Sequence, residues 1–316
     1  MRVFDSEATR AAMPFERLIP ALKAMFAAGC EAPPRHVHEV RSPGGGFTSL
    51  IMPAWVPGHY YGIKTINVAP GNAARGLPGL HAAYLLFDAD TGVPLALMDG
   101  DEITMRRTAA ASALAASWLA REDARHLLVV GAGRIAQLLP LAYRAVRAID
   151  RVTVWARSAE KAVALASAWR AQGIAAEAAA DLEAAVQAAD IVSCATLSTS
   201  ALVVGRWLQP GSHLDLIGGF TPAMREADDD CFAGAAVYVD TEDALLKSGD
   251  LLGPMSRGVF AAADVRGTLA TLARGETVGR RSPDERTVFK SVGHALEDLA
   301  AASLVQQSIR PADDRP

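Results

Sequence analysis

The stretch that most constrains this chain is His126-Leu-Leu-Val-Val-Gly131-Ala-Gly133-Arg-Ile-Ala136. A short apolar run ends at Val130, a tight glycine turn follows, and a helix-competent segment extends from Ile135 to about Arg147. Strand, turn and helix in that order open a βαβ unit. The spacing Gly131-x-Gly133-x-x-Ala136 is the dinucleotide-binding fingerprint with alanine as its third small residue. The first small residue permits the turn, the second lets backbone approach a pyrophosphate, and the third lets helix pack closely on strand. The helix start then offers unpaired N–H groups and a positive dipole end to the phosphates. A glycine triplet alone is weak evidence, but a second apolar run, Arg151-Val-Thr-Val-Trp155, begins where a βαβ unit should return.

From there the chain alternates. Strands are expected near 126–130, 151–155, 190–195, 212–217 and 236–240, with helices between them, which describes a parallel sheet. The helix over 158–171 has Ser158 as N-cap and Glu160 in its first turn. In a dinucleotide fold, an acid near the end of the second strand takes the ribose hydroxyls of NAD, and an arginine there accommodates the 2′-phosphate of NADP. This strand ends Val154-Trp155-Ala156-Arg157-Ser158, with alanine at the acid's place and Arg157 next to it. NADP(H) is therefore the expected cofactor, with NAD(H) also admitted, since no acid repels either. Otherwise Arg157 is a solvated turn residue.

The N-terminal part has a different grain. Residues 7–29 read as an amphipathic helix, with Met13, Leu18, Leu22, Met25 and Phe26 at helical spacing, stopped by Pro33-Pro34. Strand-like runs follow over 35–41, 47–52, 60–68, 83–88 and 93–98, joined by glycine- and proline-rich turns. This predicts an antiparallel meander. The breaker-rich stretch 69–79 is an irregular loop, and an alanine-rich helix over 104–119 leads into the nucleotide domain. A last helix runs from Ser291 to about Ile309, and 310–316 looks frayed.

The 316 residues are enough for two cores; 51% are hydrophobic and 21% charged, as in a globular chain. A net charge of −4 gives no reason to expect nucleic acid or an anionic membrane as partner. Cys30, Cys194 and Cys231 are far apart, without metal-like or redox spacing, which suggests buried thiols in a reducing compartment. No signal-like segment follows Met1 and no apolar run approaches membrane-spanning length, so a cytoplasmic location is expected.

Three cations, Lys64, Arg107 and Arg35, stand out. Lys64, in Gly62-Ile-Lys-Thr-Ile-Asn-Val68, shares a strand face with Ile66 and Val68, so it either snorkels to water or is held in a site, where desolvation would make it a usable acid or base. If Thr104 caps the following helix, Arg106 and Arg107 fall in its first turn, where the dipole disfavours cations; either an anion offsets this or the end is frayed and solvated. Arg35 opens the first meander strand and points either way. Two arginines and a lysine suit a carboxylate clamp with a proton donor. His36 and His38 share a strand face, but no partner segment supports a metal site, and none is expected.

With these residues in view the chain resembles the ornithine cyclodeaminase/mu-crystallin family over nearly its whole length. The motifs are Leu50-Ile-Met-Pro-Ala54, Gly62-Ile-Lys64, Asp99-Gly100 leading to Thr104-x-x-Arg107-Thr-Ala-Ala110, Gly131-x-Gly133, Gly218-Gly219 with Arg225-Glu226, Ser248-Gly-Asp250, and Val288-Phe-Lys-Ser-Val-Gly293 with Glu297-Asp298. The expected fold is α/β. A Rossmann-type domain over 119–290 stands beside an α+β substrate and dimerisation domain with an antiparallel sheet over 1–118, and the C-terminal helix, 291–316, packs back on the latter. The resemblance implies a homodimer, a nicotinamide cofactor, and substrate contacts from Arg35, Lys64 and Arg107. Candidate cofactor-binding residues are Thr108, Gly131, Ala132, Gly133, Arg134, Ile135, Arg157, Thr196, Gly219 and Ser291.

Two departures bear on substrate. Ornithine cyclodeaminases carry an aspartate after the glycine pair, where this chain has Phe220, and a glutamate near the Met-Pro motif, where it has Leu50. A distal ammonium group buried without a carboxylate is costly. The resemblance therefore implies an NAD(P)-dependent reductase of a small cyclic α-imino acid, of pyrroline- or piperideine-2-carboxylate type. Ornithine cyclodeamination and non-catalytic nicotinamide-dependent binding of a small molecule remain the alternatives.

Overall fold

The computed structural model describes residues 1–308, apart from the side chain of Ala73; the expected frayed end over 310–316 lies outside the described residues. The chain divides into two units, one of Met1–Arg107 with the described residues from His294 onward, the other of Thr108–Gly293.

The first unit begins with β1 (Arg2–Phe4), α1 (Ser6–Ala11) and α2 (Phe15–Ala28). The single helix expected over 7–29 is thus two. Pro14 forces the break, because it disfavours helical backbone at Met13 and itself sits in extended conformation as the N-cap of α2. Next come β2 (His36–Ser42), β3 (Gly45–Val56), β4 (Tyr60–Val68), β5 (Leu80–Asp88) and β6 (Pro94–Asp99). They form the expected antiparallel meander, in the order β6-β5-β4-β3-β2, with β1 added in parallel beside β6. Strand β3 continues through Pro53 rather than ending before it. Trp55 bonds Glu31 on the β2 side, and Pro53 turns its nitrogen the same way, past the last β2 pair, His36 with Ile51. Its missing N–H therefore costs no ladder bond. One sheet face is buried, carrying Met52 and Ala54, Lys64 and Ile66, Tyr84 and Leu86, and Ala96 and Met98. The C-terminal helix, Ala295–Gln307, packs on α2, β3 and β4. It starts later than expected, because Gly293 has a left-handed φ of 76° and His294, the N-cap, is extended.

Helix α3 (Gly100–Leu119) starts earlier than the expected 104. Asp99 Oδ1 accepts the Glu102 N–H at 2.8 Å, and the Thr104 hydroxyl turns back to the Gly100 carbonyl at 2.7 Å. Thr104 is therefore not the cap, and Arg106 and Arg107 lie inside the helix, not in its first turn.

The second unit holds β7 (His126–Val130), a 3-10 turn and α4 (Leu139–Arg144), β8 (Arg151–Trp155), α5 (Ala159–Ala171), β9 (Ala176–Ala178), α6 (Leu182–Ala188), β10 (Ile191–Cys194) and β11 (His213–Leu216). After these come β12 (Ala236–Val239), α7 (Ala244–Lys247), α8 (Gly249–Ser256), β13 (Gly267–Thr268), α9 (Leu269–Ala273) and β14 (Thr287–Lys290). The sheet is parallel, in the order β13-β12-β14-β11-β10-β7-β8-β9. All five expected strands are present, and the sheet gains β9, β13 and β14; β9 and β13, of three and two residues, are too short to announce themselves. The helix expected from 135 starts its α-helical part at Leu139, with Pro140 in its first turn. Buried Asp215 on β11 accepts hydroxyl hydrogens from Ser112 (3.1 Å), Ser193 (2.5 Å) and Tyr143 (2.8 Å), and so ties the later half of α3 and all of α4 to the sheet. Burial raises its pKa to about 6, against the pull of those three hydroxyls. Among the described residues no helix is long and apolar enough to cross a membrane.

Candidate active site

Two of the three flagged cations meet in the first unit. Lys64 is fully buried, and its Nζ lies 2.6 Å from Asp298 Oδ2. Arg107 donates from Nε to Asp298 Oδ1 at 2.9 Å and from Nη1 to Glu297 Oε2 at 2.8 Å. Asp298 thus bridges the lysine and the arginine, and two cations balance two carboxylates. The balance matters, since an unpaired charge this deep would cost several kcal/mol, on the order of 3–5. The Lys64 contact is close but poorly aligned, leaving Nζ without a well-directed acceptor. Burial lowers its pKa to about 8, with Asp298 pulling the other way and the Arg107 charge adding to the fall. Burial also opposes the Arg107 charge, but Asp298 and Glu297 outweigh it and raise that pKa, so this arginine stays protonated. The geometry therefore offers a permanent cation beside an ammonium group that gives up its proton near neutrality.

The elements explain the placement. Strand β4 pairs Lys64 with Met52 on β3 and with Tyr84 on β5, all on the buried face. Gly62 leaves room for the Tyr84 ring, whose hydroxyl would collide with any Cβ there. Arg106, next to Arg107, holds the chain around Pro14 in place. Its Nε donates to the Met13 carbonyl at 2.8 Å, and its guanidinium stacks 4.4 Å from the Phe15 ring centroid. Arg35 is half-buried just before β2, and no hydrogen bond or ion pair among the described residues joins it to Lys64 or Arg107. His36 and His38 stand exposed on β2.

Glu297 and Asp298 are visible in the sequence without a role. Two acids in the first turn of a helix usually need no explanation beyond the dipole. The available signal is that an otherwise Ala- and Leu-rich helix buried on all sides has no use for two charges unless they are paired.

The cofactor candidates all fall in the second unit. Apart from Thr108, on α3, they lie at the carboxyl ends of parallel strands: Gly131, Ala132, Gly133, Arg134 and Ile135 after β7, Arg157 after β8, Thr196 after β10, Gly219 after β11 and Ser291 after β14. The sheet order reverses between β7 and β10, the topological switch point where open α/β sheets bind ligands. Gly131 has φ 121°, and a Cβ there would stand 2.6 Å from the Ala195 carbonyl. At Gly133 a Cβ would meet open space, which leaves the backbone free for a phosphate. These residues fit a dinucleotide.

Residues 7–313 match the ornithine cyclodeaminase/mu-crystallin family. The chain is 47% identical over 262 residues to a Delta(1)-pyrroline-2-carboxylate reductase of Paracoccus denitrificans, covering 82% of each protein. Its structure is similar to that of Thermococcus litoralis Delta(1)-pyrroline-2-carboxylate reductase in complex with NADH and L-proline, with TM-score 0.91, 30% identity and 97% of each chain covered. It is also similar to an archaeal alanine dehydrogenase dimer with bound NAD, with TM-score 0.88, 29% identity, and 97% of this chain and 95% of that one covered.

Proposed function

The chain belongs to the ornithine cyclodeaminase/mu-crystallin family, and we propose that it is a nicotinamide-dependent reductase of a small cyclic α-imino acid, of the pyrroline- or piperideine-2-carboxylate type. The observation that carries this reading is the buried Lys64–Asp298–Arg107 bridge. The relatives named for pyrroline-2-carboxylate and the neighbour holding NADH and proline support it. The bound dinucleotide supplies the hydride. Arg107, with Nε and Nη1 committed to Asp298 and Glu297, keeps Nη2 for a substrate carboxylate. Arg35 adds a second cation for that carboxylate. Lys64 hydrogen-bonds the imine nitrogen and gives it a proton as the α-carbon accepts hydride. Asp298 holds both cations in place. With Phe220 exposed after the glycine pair and Leu50 on β3, no carboxylate stands at the two positions where ornithine cyclodeaminases carry one. The test is a cofactor-oxidation assay of the wild type. Cyclic imines of both ring sizes and ornithine are supplied in parallel. Turnover of a cyclic imine without ammonia release from ornithine is expected. Stoichiometric ammonia and proline from ornithine would overturn the reading.

The cofactor preference proposed is NADP(H). Arg157 is exposed just after β8, Ala156 precedes it where an acid would stand, and Ser158 caps α5 by accepting the Lys161 N–H at 3.4 Å. A charge-assisted phosphate contact there is worth ~1.5–3 kcal/mol, about ten- to a hundredfold in affinity. Titration should show NADPH binding more tightly than NADH, with Arg157→Ala erasing the difference. Equal wild-type affinities, or equal weakening of both by the substitution, would assign Arg157 to solvent. The proposed assembly is a homodimer through the first unit. The alanine dehydrogenase neighbour is a dimer, and edge strand β2 is exposed along its length, with Val37 and Val40 uncovered.

A further inference from the structure

A second buried charge cluster lies in the other unit, and the chemistry above does not use it. Glu226, with no exposed surface, sits in the loop before β12. Its Oε1 accepts the Thr196 N–H at 2.6 Å and the Thr196 hydroxyl at 2.8 Å, while Oε2 accepts the Gly218 N–H at 2.7 Å. One carboxylate therefore joins the backbone after β10 to the backbone after β11. The support behind it is equally specific. Asp250 Oδ1 accepts the N–H groups of Glu226 (2.7 Å) and Ala227 (3.2 Å), and Lys290, at the end of β14, places Nζ 3.2 Å from Asp250 Oδ2. Ser248 donates to the Gly219 carbonyl at 2.6 Å. The glycine pair is required by this packing, since a Cβ on Gly218 would collide with the Thr196 carbonyl and one on Gly219 with Asp250.

Such an arrangement is costly: Lys290, Asp250 and Glu226 are all fully buried. Burial raises the Glu226 pKa to about 7, with Lys290 opposing and Asp250 adding to the rise. What the cluster gains is a fixed path for two loops bordering the switch point. In a dinucleotide fold the half built on the first strands, here β7 to β9, takes the adenosine, and the other half takes the nicotinamide. Strands β10, β11 and β14 belong to that other half.

We propose that Glu226 is a positioning residue whose carboxylate clamps the loops after β10 and β11 into the surface that receives the nicotinamide end of the cofactor. This rests on the reading that the chain binds a nicotinamide dinucleotide. Glu226→Gln is the direct test, because the amide accepts for Thr196 but turns a donor toward the Gly218 N–H. Three quantities are read: hydrogen exchange in the segment containing Gly218, the Kd of NADH and NADPH by fluorescence titration, and kcat at saturating cofactor. Faster exchange, a Kd raised at least about tenfold, and a kcat at saturating cofactor lowered less than about threefold are expected. Unchanged exchange, or lost protection with Kd within about twofold of wild type, overturns the inference. If Glu226→Gln does not fold, Glu226→Asp keeps the charge and draws it back from both loops; the same measurements then support or overturn the clamp by the same thresholds. Wild-type imine turnover is scored separately. A wild type that binds dinucleotide but reduces no cyclic imine removes the substrate assignment and leaves this clamp standing, whereas one that binds no dinucleotide overturns both.

Discussion

Lys64→Met is expected to lower kcat/KM for imine reduction by about 10²–10⁴-fold, the usual worth of a positioned proton donor. Methionine keeps the length and apolar stem of the lysine, so the buried face of the first sheet stays filled. Asp298 remains held by Arg107, but the cluster is left with one excess negative charge, so a retained cooperative thermal transition is required of this variant. Cofactor affinity should be unchanged, because Lys64 is not among the residues proposed to hold the dinucleotide. The pH profile carries the sign. With its pKa lowered to about 8, Lys64 is an ammonium donor below that pH and loses its proton above it. Wild-type kcat/KM for reduction should therefore fall as pH rises through about 8, and the residual activity of the variant should lack that limb. Full activity with an unchanged profile would take proton transfer away from Lys64.

Arg107 calls for a gentler substitution than alanine. Removing the guanidinium would leave two buried carboxylates facing Lys64 alone, at a stability cost on the order of 3–5 kcal/mol, and lost folding would be mistaken for lost chemistry. Arg107→Lys keeps the charge but loses the planar fork that serves Asp298, Glu297 and a substrate carboxylate together. A drop of at least about a hundredfold in kcat/KM, ~3 kcal/mol, is expected with a cooperative thermal transition retained. Near-normal turnover by a folded Arg107→Lys protein would remove Arg107 from substrate binding.

The parts of this molecule legible in sequence are those written in local pattern. Strands β7, β8, β10, β11 and β12 and the meander β2 to β6 follow from apolar runs and breakers, and the glycine turn after β7 follows from residue spacing. What stays hidden is set by contacts far apart in the chain. The start of α3 depends on the Asp99 side chain, so the dipole conflict that draws attention to Arg107 does not exist; its anions are Glu297 and Asp298, about 190 residues away. Lys64 stands out because strand alternation alone puts it on an apolar face, whereas its partner Asp298 looks like an ordinary helix-start acid. Glu226 gives no local sign, since its partners Thr196 and Gly218 come from two other loops.

Hydride transfer to the α-carbon of a cyclic imino acid is the central claim, and isotope transfer tests it most directly. Wild-type protein would be given Δ1-pyrroline-2-carboxylate and, in turn, the two C4-deuterated epimers of NADPH and NADH. The expected product is proline one mass unit heavier with one epimer, deuterium at its α-carbon, and one reduced cofactor oxidised per proline formed. Cofactor oxidation without deuterated proline, or no oxidation with either cofactor while the protein binds both, would contradict the claim.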